Sequence, residues 1–174
     1  MKSSLGLWLG FVALSGAALA QPAGPPVRVG IYDSRAIAVA YVRSPMMRQW
    51  MADLKAQRDK AQAAGDEKRV RELEAQGGAR QQRLHEQGFS TASVANLMDQ
   101  IRGGIPAVAR EAGVVLVVSE WEVMYKDPTI QYVDVTIPLV RRFTTDPQAL
   151  QTVEELMKHP PVPLDELAGA GARQ

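Results

Sequence analysis

The stretch GVVLVVSEWEVMYKDPTIQYVDVT, residues 113–136, holds the longest unbroken run of Val, Leu and Ile beyond the first twenty residues. Val114 to Val118 is apolar on both faces, the pattern of a central, fully covered strand. Residues 122–125 and 129–133 are shorter and alternate, and Lys126-Asp127-Pro128 between them supplies turn chemistry, so a hairpin beside the central strand is expected. Asp134 or Thr136 then caps a short helix whose Ile137, Val140 and Phe143 face the sheet, with Pro138 in the first turn.

Only one other stretch has comparable strand character. In VRVGIYDS, residues 27–34, Val27, Val29 and Ile31 alternate with Arg28, Gly30 and Tyr32 in the two-residue period of a strand with one buried face. The sheet core is therefore assigned to Val29, Ile31, Val115, Val117 and Val133. Everything between the two stretches reads as helix. Asp33 or Ser34 caps a first helix carrying Ile37, Ala40 and Tyr41, and Ser44-Pro45 opens a second.

From Pro45 a thin apolar stripe runs through Met47, Trp50, Met51, Leu54, Ala61, Val70 and Leu73 among charged residues, the signature of a helix that packs on one partner. Gly65 interrupts it at a cost of about 1 kcal/mol relative to Ala, and Gly77-Gly78 does so twice, which favours the second place for the turn. The returning helix carries Val94, Leu97, Met98, Ile101, Ile105 and Val108, breaks weakly at Gly88 and Gly103, and ends at Gly113. Two antiparallel helices over 44–76 and 79–112 result. Each would be roughly 50 Å long at the rise of an α-helix. The predicted fold is α+β: a small β-sheet body with a long α-helical coiled-coil hairpin inserted between its first and second strands. Residues 27–33 plus 114–143 form the body and 34–113 the arm. Residues 144–174 form an amphipathic helix, with Leu150, Val153, Leu156 and Met157 on one face, and a flexible Ala/Gly-rich tail.

At 174 residues, 46% hydrophobic and 22% charged, the chain is long enough for one domain of modest core. Residues 1–20 read as a secretory leader: Lys2, an apolar stretch from Leu5 to Leu19 too short for a membrane span, and Ala18-Leu19-Ala20 as the cleavage site, with the cut after Ala20. QPAGPP, residues 21–26, is a linker. With no cysteine there is neither a lipidation site nor a disulfide, so an exported, periplasmic protein relies on packing or oligomerisation. Lys and Arg number 20 against 19 Asp and Glu, and loss of Lys2 with the leader balances them; nothing in that total points to nucleic acid.

Catalytic chemistry has little to stand on. His85 and His159 are the only histidines and neither has metal-ligand spacing. Glu120 and Glu122 flank Trp121 as a potential carboxylate pair, but a solvated strand end accounts for them. The paired glycines lack the strand–loop–helix context of a phosphate loop. No enzyme, metal or cofactor is expected.

In order along the chain, Val29-Gly30-Ile31-Tyr32-Asp33, Gly113 to Val118, Val123-Met124-Tyr125 and Asp134-Val135-Thr136 resemble the Skp (OmpH-like) family of periplasmic chaperones for outer-membrane proteins, a similarity over residues 27–143. The resemblance implies a homotrimer whose sheets join into one body and whose helical hairpins surround a cavity. Unfolded outer-membrane β-barrel precursors would be held there without ATP or stable membrane insertion. It places Met46, Met47, Trp50, Met51 and Leu54 near the root of the arm, for contact with a client or between the helices. The family is typically basic, whereas this chain is close to neutral. The competing reading is an exported coiled-coil scaffold or interaction protein of the envelope without chaperone activity.

Overall fold

The computed structural model describes residues 26–171; the leader and most of the linker lie outside them. Three parallel strands make one sheet in the order β2-β1-β3: β1 Arg28–Tyr32 at the centre, β2 Leu116–Ser119 and β3 Gln131–Asp134 at the edges. Val29 pairs with Leu116 and Ile31 with Val118, while Arg28 pairs with Gln131 and Gly30 with Val133. The sequence-distant strands therefore lie side by side. Their order and direction differ from the expectation.

The 114–118 segment is an edge, not the centre, and Val115 is 78% exposed rather than part of the core. The expected hairpin is replaced by a single 3-10 turn over Glu120–Glu122 and an irregular return to β3. The turn chemistry at 126–128 is present all the same: the Asp127 Oδ1 accepts hydrogen bonds from the Thr129 backbone N–H at 2.8 Å and hydroxyl at 2.6 Å. Turn residues specify a local bend, whereas strand direction depends on which neighbour the next segment finds. Here that neighbour is the far edge of β1.

Gly30 and Tyr32, not Val29 and Ile31, occupy the fully covered face of β1. Gly30 is required there, since a Cβ would stand 3.2 Å from methyls of both Val114 and Val135. A strand glycine of this kind marks a close approach of neighbouring groups. Val117 and Val133 share this face and pack on the core, together with helix α1 Ser34–Val42. Val29, Ile31, Val118 and Tyr132 line the opposite face and are only half-buried, and Leu116 beside them is exposed.

Helix α1 is the centre of the helical layer. Its Ala36, Ile37, Ala38, Ala40 and Tyr41 are all buried, and it contacts the helices Glu67–Phe89, Thr136–Val140 and Pro147–Leu156. Small alanines let those neighbours approach closely. Tyr41 meets Phe143 edge-to-face with ring centroids 6.1 Å apart, a favoured arrangement for an aromatic pair.

Helices α2 Pro45–Ala63 and α3 Glu67–Phe89 run antiparallel, with Trp50 opposite Arg80, Leu54 opposite Gly77 and Gln57 opposite Arg69. They reverse at Ala64-Gly65-Asp66, where Gly65 has φ +68° and Asp66 caps α3 by accepting from the Arg69 N–H. The pair is roughly 30 Å long at about 1.5 Å per residue, well short of the expected arm. Gly77-Gly78 lies inside α3 instead of at the turn. A Cβ on Gly77 would come within 3.3 Å of the Leu54 Cδ2. This glycine is therefore a close-approach position between helices rather than a breaker.

After Phe89 the chain returns to the body in pieces: α4 Ala95–Met98, a 3-10 segment Asp99–Gly104 and α5 Ile105–Ala112. Val94, Leu97, Ile101 and Val108 are buried in the main core, so residues 90–112 belong to the body and not to an arm. Gly113, in the left-handed region, closes α5 as its position predicts. Short helix α6 Thr136–Val140 follows β3, with the Asp134 carboxylate accepting from the Thr136 N–H.

Helix α7 Pro147–Leu156 docks Ala149 and Val153 against α1. A further helix, α8 Leu164–Gly171, stands where a flexible tail was expected. Val162 N–H, just before α8, donates to the Phe89 carbonyl at 2.9 Å.

The two glycines Gly65 and Gly78 predict opposite effects. Gly65→Ala should lower stability by about 1 kcal/mol because its positive φ is strained for an L side chain. Gly78→Ala, helical and facing open space, should raise it by up to about 1 kcal/mol. Urea midpoints of the two variants, moving in opposite directions, are the check.

Candidate functional site

The α2–α3 pair is the most solvated part of the fold. Ala61 alone is buried in α2, and α3 buries only Leu73, Leu84, Gln87 and Gly88. Both helices carry too few apolar residues for a full seam, so one side of the pair is left as a groove of about 660 Å³. Met51 and Leu54 supply its apolar surface above the buried Leu73, and the bare backbone at Gly77-Gly78 widens it. Lys55, Arg58 and Glu74 form its rim. A second depression at the arm tip, about 480 Å³, is lined by Arg58, Gln62, Glu67, Arg71 and Glu74 with Val70. Its charged walls are poorly suited to apolar groups.

The residues proposed for contact divide between two roles. Met51 is 51% exposed in the groove and Met46 is exposed near the root, while Leu54 is half-buried against Gly77. Met47 packs on the core, and Trp50 lies under the Arg80 guanidinium at 4.3 Å. Only Met51 and Leu54 therefore line the groove; Met47 and Trp50 are structural. Arg80 also hydrogen-bonds the Tyr41 hydroxyl, so one cation ties α3 to α1 and α2. Sequence reasoning missed Leu73 and Gly77 as groove residues and Arg80 as the root clamp. A small residue opposite Leu54 is visible only once the turn is fixed at Gly65.

Several charges on the arm pair along their own helix: Lys55 with Asp59 at 2.6 Å, Arg69 with Glu72 at 3.1 Å, and Arg71 with Glu67 at 3.5 Å. The Lys55 ammonium hydrogen bond holds the Asp59 carboxyl below its usual range. Exposed pairs of this kind stabilise little.

At the carboxyl end of the sheet a second cluster is buried. The Asp33 carboxylate accepts from the Arg35 Nη2 at 2.7 Å, the Arg35 Nε at 3.1 Å and the Trp121 Nε1 at 3.2 Å, and the Arg35 guanidinium stacks 5.3 Å from the Trp121 ring centroid. Glu120 beside it is raised above the usual carboxyl range, by burial first and then by the charges of Asp33 and Asp134. Glu120 and Glu122 sit in the 3-10 turn that directly follows β2, not along a strand. His85 packs against Phe89 at 4.7 Å and His159 lies 3.5 Å from Glu155; the two are on different elements. The saturated hydrogen bonding of Asp33 makes this cluster a lock between β1, α1 and the segment after β2.

Tyr32, on the covered face of β1, is pushed up to about 12 by burial and by the Glu122 carboxylate. Its protonated form is favoured by folding, so the associated stability is complete below pH 10 and lost as pH rises from 10 to about 12. Urea midpoints measured across that window should fall more steeply for the native chain than for Tyr32→Phe; equal slopes would remove Tyr32 as the cause.

No protein family, curated protein or solved structure matches the chain.

Proposed function

We propose that the chain is an ATP-independent holdase of the periplasm that keeps unfolded outer-membrane β-barrel precursors from aggregating. The observation that carries this reading is the apolar groove on a largely solvated helical pair, walled by mixed charge. A barrel strand alternates apolar and polar residues and aggregates when unpaired in water. A groove presenting a flexible thioether and a half-buried leucine accepts many such side chains weakly, without demanding one sequence. The α2–α3 pair is, on this reading, a short counterpart of the long coiled-coil arm that the Skp-like motifs imply.

Assembly as a homotrimer is part of the proposal. Parallel sheets are ordinarily covered on both faces. Here Val27, Leu116, Met124 and Tyr125 are exposed around a half-buried second face, and β2 leaves an edge free. Joining three such bodies would cover that surface and gather three grooves around one client. Local concentration then raises a weak affinity without new contacts.

Light scattering of a urea-diluted outer-membrane β-barrel protein tests the reading. The chain should suppress aggregation near equimolar trimer, and Met51→Glu should weaken holding about tenfold with little change in stability, because it puts a charge where apolar side chains dock. No suppression by the native chain at any ratio excludes the holdase. Recovery of one folded partner, instead of a spread of unfolded ones, would favour the envelope scaffold.

A further inference from the structure

Away from the groove, four arginines gather where three elements meet. Arg43 ends α1, Arg48 lies in the first turn of α2, and Arg141-Arg142 follow α6. All four are exposed, and none forms an ion pair among the described residues. On the arm, by contrast, Lys55, Lys68, Arg69 and Arg71 each pair with a carboxylate within one helical turn.

Arg48, Arg141 and Arg142 line one depression of about 580 Å³. Phe143, Thr144, Thr145 and Asp146, with Pro45 and Pro147, complete its lining. Asp146 is the single carboxylate there, and its Oδ1 is engaged in capping α7 through the Gln148 N–H at 3.3 Å. Three guanidiniums thus face one carboxylate. The Arg48 Nη1 donates to the Arg43 carbonyl at 3.0 Å, and the Arg142 side chain passes beside Gly104, where a Cβ would stand 3.3 Å from its Cδ.

Like charges lining one depression repel one another, and a bound anion relieves that repulsion. Guanidinium forks match tetrahedral oxyanions through paired N–H donors. The first turn of α2, opening at Pro45 on the same wall, adds its partial positive charge. We propose that this depression binds a phosphate-type dianion, the phosphomonoester or diphosphate group of a soluble metabolite or of a lipid headgroup. The volume exceeds what a lone phosphate fills, which leaves room for the group that carries it. This inference is independent of the holdase reading.

Calorimetry of the full chain with inorganic pyrophosphate at low ionic strength is the test. Saturable binding is expected, with a raised thermal midpoint. Arg48→Gln and Arg141→Gln should each weaken it about tenfold, and Lys60→Gln on the arm should leave it unchanged. Far-UV circular dichroism of each variant separates lost binding from lost folding, and the thermal shift of the native chain stands without any variant. Co-sedimentation with phosphatidylcholine vesicles containing phosphatidic acid, competed by pyrophosphate, identifies the lipid source. Pyrophosphate binding without co-sedimentation identifies the soluble one. Absence of heat, thermal shift and co-sedimentation overturns the proposal, as does binding indifferent to both arginine substitutions.

Discussion

Asp33→Ala should destabilise the fold by about 3–5 kcal/mol, the cost of leaving a buried charge without its partner. Asp33 and Arg35 are each 2% exposed, and the carboxylate takes four hydrogen bonds, from the Arg35 backbone N–H, Nε and Nη2 and from the Trp121 indole. Removing it strands the guanidinium, frees the indole and uncaps α1, the last effect alone being worth about 1 kcal/mol. Such a loss is a large fraction of the roughly 5–15 kcal/mol typical of a domain. Chemical denaturation followed by circular dichroism measures it. Asp33→Ala combined with Arg35→Met should recover most of the loss, since neither charge is then left uncompensated. A single-variant cost below about 1 kcal/mol would show that water reaches the pair and that it does not lock strand to helix.

Leu73→Ala should cost about 2–5 kcal/mol, but in a different place. Leu73 is 1% exposed on a helix pair that buries little else, so the cavity left behind has few neighbours able to collapse into it. The damage should remain in α2 and α3. Native-state hydrogen exchange is expected to show protection lost along both helices while α1 and β1 keep theirs. Uniform loss across the chain would mean that arm and body unfold as one unit.

Local chemistry made part of this architecture legible. Asp33, Ser44, Asp146 and Gly113 cap their helices because a short side-chain acceptor or a left-handed glycine satisfies the end groups regardless of what surrounds them. The alternation at 27–33 and the apolar run at 114–118 likewise identify strands, because that periodicity is a property of the strand itself. Which face is buried did not follow. Val29 and Ile31 look like core, yet Gly30 and Tyr32 lie under α1, because only a glycine leaves room for the Val114 and Val135 methyls.

Partner-dependent features stayed hidden for the same reason. Gly65 and Gly77-Gly78 all read as breaks, and only the packing of Leu54 on Gly77 shows that one of them brings helices together. The strand order hid as well. Asp127 makes its expected turn, but a turn does not say whether the chain next pairs with β2 or crosses to the far edge of β1. Of the groove, Met51, Leu54 and Leu73 were visible in the stripe, while which of them face one another, and the place of Gly77 between them, required the true reversal point.

The central claim, that unfolded barrel precursors are held in the α2–α3 groove, is tested most directly by site-specific photo-crosslinking. With a benzophenone side chain at position 51, a urea-diluted outer-membrane β-barrel protein should be captured in high yield, and the same probe at position 60 should capture little. Equal yields at both positions, or capture only of the client once folded, would contradict the account.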